Sequence, residues 1–68
     1  MDEVIFTVEE ASEGDYVAEA LGASIVAEAD TLDELHHKIR DAVRCRYDAG
    51  AMPKMIRLHF VRDEVIPV

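Results

Sequence analysis

The sequence predicts a small α+β domain in which three short strands, one helix and a fourth strand follow one another (βββαβ). Two observations lead to this prediction. Apolar and polar residues alternate near both ends of the chain, and a segment with helical apolar spacing lies between them. The 68 residues suffice for one domain (1–68), which buries a smaller share of its surface than a larger domain would.

The predicted strands cover residues 4–8, 16–21, 25–29 and 55–61. The first and last alternate with a period of two, which is typical of half-buried strands. The side chains expected to face the helix are Val4, Phe6, Val8, Ile56, Leu58 and Phe60. Residues 9–15 have the composition of a turn, and residues 22–24 form a shorter break.

The helix is predicted over about residues 32–48. Thr31 and Glu34 fit a capping box, in which the Thr oxygen accepts a first-turn amide and the Glu reaches back to the cap. Gly50 suits the position just after a helix, and Pro53 follows it. The apolar stripe is expected to contain Leu32, Leu35, Ile39, Ala42 and Val43.

The connections predict the sheet order 3-2-1-4. Tight turns make the first three strands antiparallel, and a strand–helix–strand crossover makes the fourth parallel to the third and hence to the first. The helix then covers one face only, as antiparallel sheets permit. The uncovered face is expected to carry Ile5, Thr7, Arg57, His59 and Val61.

Charge is divided along the chain. The formal net charge is −8, which opposes nucleic-acid binding. Residues 1–37 hold eleven carboxylates and no Lys or Arg, whereas residues 38–68 hold all seven basic residues. Two interpretations stay open: a device for solubility, or an acidic face that steers a basic partner. The candidate partner-binding residues are Glu9, Glu10, Glu13, Asp15 and Glu28.

Cysteine usage and the terminal segments suggest the cellular compartment and the oligomeric state. Cys45 is the only cysteine, so no disulfide is possible within one chain, and a lone thiol fits the cytoplasm. The acidic N-terminus does not resemble a signal peptide, and no apolar run approaches the ~18 residues of a membrane span. We expect a homo-oligomer with contacts at Val61, Val65, Ile66 and Val68, although a frayed terminus is the alternative for this tail.

No catalytic, metal-binding or cofactor-binding motif is evident. His36 and His37 are adjacent and point about 100° apart on a helix, so they do not chelate one metal together. Cys45 has no paired histidine to activate it. Glu9 and Glu10 are interpreted as part of an acidic turn rather than as a catalytic dyad. The sequence therefore predicts a protein that is not an enzyme and needs no cofactor.

The chain resembles the HicB-like antitoxin domain. The resemblance rests on residues 14–18, Gly-Asp-Tyr-Val-Ala, and on residues 25–35, Ile-Val-Ala-Glu-Ala-Asp-Thr-Leu-Asp-Glu-Leu, and the order of elements extends it over residues 4–62. It implies a partial ribonuclease-H-like fold without catalysis, in a protein that neutralises a small basic ribonuclease of the HicA type by binding it. The middle of the first strand has no carboxylate to hold a catalytic metal.

The sequence departs from the family pattern in three ways. Residues 22–25 replace a Pro-Gly-Cys turn, Ala29 replaces the glycine that starts the helix, and no DNA-binding domain follows the fourth strand. The alternative function is an orphan self-assembling domain, or a subunit of another complex, without a toxin partner, and the uncovered sheet face and the apolar tail suggest it.

Overall fold

The computed structural model describes residues 2–68, so residue 1 of the predicted domain lies outside it. The predicted element order is confirmed. The elements are β1 Glu3–Glu10, β2 Tyr16–Ala20, β3 Val26–Ala29, α1 Leu32–Arg46, a 3₁₀ turn Ala49–Ala51 and β4 Met55–Val61. They form an α+β fold with one four-stranded sheet.

The strand order is β3-β2-β1-β4, as predicted. β1 pairs with β2 and β2 with β3 in antiparallel fashion, whereas β4 runs parallel to β1. The register aligns Phe6 with Ala20 on one side and with Leu58 on the other. Because the crossover through α1 passes over the sheet, β4 reaches the edge beside β1 rather than the edge beside β3.

The core lies between α1 and one face of the sheet, here named the covered face. Its buried residues are Val4, Phe6, Val8, Ala18, Ala20, Ile25, Ala27, Ala29, Leu35, Ile39 and Val43. Helix α1 packs against β2 and β3. Alanines on the covered face of these two strands leave room for a close approach of the helix.

Phe60 shares the covered face, as predicted, but its side chain is 51% exposed and does not pack beneath the helix. Since α1 lies over β2 and β3, the edge strand β4 extends beyond its cover. Ile56 and Leu58 are half-buried on the same face. The prediction for Leu32 is wrong: the first residue of the helix is exposed rather than part of the apolar stripe.

The start of the helix is as predicted, and its end is earlier. The Glu34 amide donates to Thr31 Oγ1 at 3.1 Å, which confirms the cap. Tyr47 turns to extended backbone with φ −115° and ψ 140°, and its ring packs half-buried against the core. The helix therefore ends at Arg46, and Gly50 lies in the 3₁₀ turn rather than at the helix terminus.

The first hairpin is longer than predicted. Glu9 and Glu10 belong to β1, where they align with Val17 and Tyr16, and they are not turn residues. The turn is closed by the Ala11 amide, which donates to the Asp15 carbonyl at 2.8 Å. At the other end of the sheet two strands are each one residue shorter than predicted. β2 ends before Leu21, and β3 begins after Ile25.

Candidate partner-binding surface

The sheet face turned away from α1, here named the open face, presents a mixture of polar and apolar side chains. The register places β1 residues Ile5, Thr7 and Glu9 in rows with residues of the other strands. One row across the sheet contains Val61, Glu9, Val17 and Glu28, and the next contains His59, Thr7, Glu19 and Val26. Side chains on one face alternate along each strand, so the residues predicted for this face do share it.

Glu9 and Glu28 are brought together on the open face. They lie in one row on either side of Val17, two strand spacings or about 10 Å apart. Glu19 lies in the neighbouring row on the same face. Sequence reasoning missed Glu19, although its alternation with Val17 could have indicated the shared face.

The other predicted acidic residues do not join this pair on the open face. Glu10 follows Glu9 in the strand and so points to the opposite side. Glu13 lies exposed in the hairpin turn, and Asp15 is half-buried at the start of β2. Asp15 Oδ1 is buried and finds no hydrogen-bond partner among residues 2–68. The prediction of an acidic surface thus corresponds to one end of the molecule rather than to one face.

This acidic end lies where β1 and β3 finish and α1 begins. Its members are Glu9, Glu10, Glu13, Asp15, Glu28, Asp30 and Asp33. The amino terminus of the helix points there, and its partial positive charge stabilises nearby carboxylates such as Asp33.

Lys38 reaches toward the acidic end from α1. Its Nζ lies 3.1 Å from Glu34 Oε1 and donates to the Glu28 carbonyl oxygen at 2.8 Å. The ammonium thus fastens the helix to the end of β3. The carboxylate of Glu28 itself stays exposed and points to the open face.

Basic side chains gather at the opposite end, which is here named the basic end. Arg44 and Arg46 occupy the last turn of α1, and Lys54 precedes β4. Parallel strands β1, β3 and β4 all start at this end, and the antiparallel helix finishes there. The topology therefore gathers seven of the eleven carboxylates of residues 1–37 at the acidic end, whereas Glu3 lies at the start of β1, at the basic end.

Arg57 and Glu3 form an ion pair at the edge of the open face. The Arg57 Nε donates to Glu3 Oε1, and Nη2 lies 3.5 Å from Oε2. This hydrogen bond, together with the negative charge of Glu3, raises the pKa of the Arg57 guanidinium above its ordinary value. An arginine is charged at neutral pH in any case, so this shift does not change its protonation state there.

The predicted oligomer contacts are all accessible. Val61 ends β4 on the open face, and Val65 and Ile66 are 92% and 74% exposed in the segment that follows. Val68 is exposed as well. The tail 62–68 contains no strand or helix and makes no contribution to the core.

The residues considered for catalysis or metal binding do not form a common site. His36 is half-buried at the border of the core, His37 is exposed, and Cys45 is exposed on the side of α1 near Ser24 and Val26. Within residues 2–68, no three His, Cys, Asp or Glu side chains are grouped so that they could hold a metal ion. The described part of the chain also contains no helix long and apolar enough to cross a membrane.

Comparisons with known proteins identify relatives that share one name. A UPF0150 protein of Thermotoga maritima is 39% identical over 66 residues, which cover 97% of this chain and 93% of the relative. A UPF0150 protein of Archaeoglobus fulgidus is 47% identical over 55 residues, or 81% of this chain and 82% of the relative. No family model and no solved structure matches the chain. Identity at this level along nearly the whole length shows that the chain belongs to the UPF0150 family.

Proposed function

We propose that this protein is a non-catalytic binding module that neutralises a small basic ribonuclease, in the manner of a HicB-like antitoxin. The observation that carries the proposal is the concentration of carboxylates at the acidic end, with Glu9 and Glu28 on either side of Val17 on the open face. The resemblance of residues 14–18 and 25–35 to HicB-like domains supplies the class of partner. The single Cys45 suggests that the complex forms in the cytoplasm.

Electrostatics would act mainly on the encounter. A charged patch on one protein attracts a complementary patch on another and raises the association rate, and this attraction weakens as salt screens it. Carboxylates spread evenly over the whole surface would attract a basic partner without favouring one orientation of it. Acids at one end give the approach of a basic partner a direction.

The open face would then supply the contact that persists after the encounter. Val17 lies between Glu9 and Glu28, and Val61 continues the row onto β4. Apolar side chains between carboxylates provide area to exclude water around the ion pairs, which strengthens them. Neutralisation by such binding needs one copy of the module for each copy of the toxin and no turnover.

A pull-down with the product of the adjacent reading frame tests the proposal. We expect the wild-type protein to retain a small basic product at about 0.05 M NaCl and to lose most of it at about 0.5 M. The Glu9→Lys/Glu28→Lys variant should bind about tenfold more weakly. Asp41→Lys/Asp48→Lys is the matched control, because it makes the same charge change away from the acidic end.

Two results would count against an antitoxin role. The first is an adjacent product that is not basic or is not retained. The second is retention that is indifferent to salt and to the exchange of Glu9 and Glu28. An equal loss of binding in both double variants would show that net charge, and not the acidic end, governs binding.

The second candidate function is self-assembly without a toxin partner. It is favoured by the exposed apolar tail, in which Val65 and Ile66 contact no core of their own. Deleting residues 65–68 and measuring mass in solution tests it. A change from oligomer to the 7.6 kDa monomer supports self-assembly, and a monomer before and after deletion excludes it.

A further inference from the structure

We infer that the tail of one chain docks in a groove between α1 and β4 of a second copy, so that molecules join basic end to acidic end. The inference rests on the second candidate function, self-assembly. It adds which surfaces meet and in which direction.

The groove exists because the helix does not reach the edge of the sheet. Its floor is apolar, and its best-defined part is a cavity of about 150 Å³. The residues that line the α1–β4 groove and matter here are Ile39, Arg40, Arg44, Lys54, Ile56 and Leu58. β4 is also the edge strand of the sheet, with pairing on the β1 side only among the described residues.

The tail matches this groove in chemistry. Asp63 and Glu64 are followed directly by Val65 and Ile66, so an acidic segment precedes an apolar one. In the groove, Arg44 and Lys54 lie at the basic end, and the apolar floor of Ile39 and Leu58 follows toward the acidic end. Charge complementarity and apolar burial are satisfied together only if the acids of the tail enter at the basic end.

The spacing of residues along the groove also fits this direction. Arg44 and His36 are eight residues apart on α1, which is about 12 Å at 1.5 Å per residue. The four residue steps of extended chain from Glu64 to Val68 span about 13 Å. When Glu64 lies beside Arg44, Val68 therefore lies level with His36.

The tail of the same chain is poorly placed to occupy the groove in this direction. It leaves β4 at the acidic end, and the molecule measures 52 Å along its longest axis, which is more than a seven-residue strand of about 23 Å can account for. The tail thus extends away from its own groove. Entering that groove would require the chain to reverse direction, and Asp63 and Glu64 would then lie at the acidic end, away from Arg44 and Lys54.

A contact between two different surfaces has a consequence for assembly. Each molecule offers one tail and one groove, so the association continues beyond a dimer until a ring closes. Species larger than a dimer are therefore expected on concentration.

Disulfide trapping tests the inference. In a background with Cys45→Ser, Val68→Cys is placed in one protein and His36→Cys in another, and an equimolar mixture is oxidised. We expect the main species to have twice the 7.6 kDa chain mass, with its disulfide joining position 36 to position 68 rather than two copies of either position. The matched control mixes Val68→Cys in that background with wild-type protein, whose native Cys45 is exposed on another side of the same helix. Little product should form there.

Four outcomes would overturn the inference. A Val68→Cys/His36→Cys double variant that closes within one chain shows that the tail folds back. Equal trapping by Cys45 shows random collision. An oligomer in solution without trapping at His36 leaves self-assembly standing and rejects this groove, whereas a monomer throughout rejects both. Asp63→Lys/Glu64→Lys, which leaves the folded core untouched, should reduce trapping about tenfold.

Discussion

Phe6 and Phe60 occupy strands that are neighbours in the sheet, and both point to the covered face. Phe6 lies in the core with no exposed surface, whereas half of Phe60 is in contact with solvent. β1 is an inner strand and β4 an edge strand, so the same side chain makes very different contacts in the two places.

We predict that Phe6→Ala abolishes cooperative unfolding, while Phe60→Ala leaves it in place. Truncating a buried Phe costs about 3–5 kcal/mol, which is as much as a core of this size supplies in total. Circular dichroism during urea denaturation measures both variants against wild type. A similar shift of the midpoint in the two variants would contradict the assignment of the core.

At the scale of the element, the start of α1 depends on one side chain. Thr31 Oγ1 accepts the Glu34 amide, one of four helix amides that lack a partner within the helix. We predict that Thr31→Ala lowers the free energy of unfolding by about 1 kcal/mol, while Thr31→Ser, which keeps the hydroxyl, changes it by less than half as much. Urea denaturation of both variants and of the wild type measures these free energies of unfolding. Equal losses in both variants would mean that the methyl group, and not the cap, matters.

The two sheet turns depend on glycine backbone geometry. Gly14 and Gly22 have φ of 90° and 80°, a region that a side chain disfavours even though a Cβ would meet no atom within 4 Å at either position. We predict that alanine at either position lowers the free energy of unfolding by about 1 kcal/mol. Gly50→Ala is the control, because Gly50 has no positive φ and the same open surroundings. The free energy of unfolding of Gly50→Ala should equal that of the wild type or exceed it by about 0.4–1 kcal/mol. Thermal unfolding of the three variants measures these changes. A loss of free energy of unfolding in Gly50→Ala as large as that in Gly14→Ala would contradict the backbone explanation.

At the scale of the whole molecule, the acidic end places like charges close together. We predict that raising NaCl from about 0.05 to 0.5 M increases the melting temperature, because salt screens repulsion among exposed carboxylates. Glu9→Gln/Glu28→Gln should melt higher at low salt and gain less from added salt. Asp41→Asn/Asp48→Asn, away from this end, should keep the wild-type gain. A melting temperature that falls with salt would show that attractive pairs such as Lys38–Glu34 dominate.

Local pattern was sufficient for most of the fold. The period of two in β1 and the cap at Thr31 predicted those elements because both depend on neighbours in the chain. The end of α1 was missed because Tyr47 leaves the helix to pack on the core, which is a tertiary contact. The exposure of Phe60 was missed for a related reason, since no local signal tells how far a helix extends across a sheet.

The sequence indicated which acidic residues belong to the candidate surface but not how the fold arranges them. The five acidic residues Glu9, Glu10, Glu13, Asp15 and Glu28 were chosen for their charge, and the fold sorted them by strand alternation and by the hairpin turn. Glu19 was missed, and so was the α1–β4 groove, which is lined by residues far apart in the chain.

The sequence by itself determined the order of the elements, the strand order of the sheet and the division of charge along the chain, because capping, alternation and crossover handedness act over short distances or follow a general rule. Only the tertiary structure decided where those charges meet. Parallel strands bring their ends to the same edge of the sheet, so residues from β1, β3 and the start of α1 form one acidic end. The position of α1 over β2 and β3 likewise decided that β4 keeps an open apolar groove, because one helix is too narrow to cover four strands.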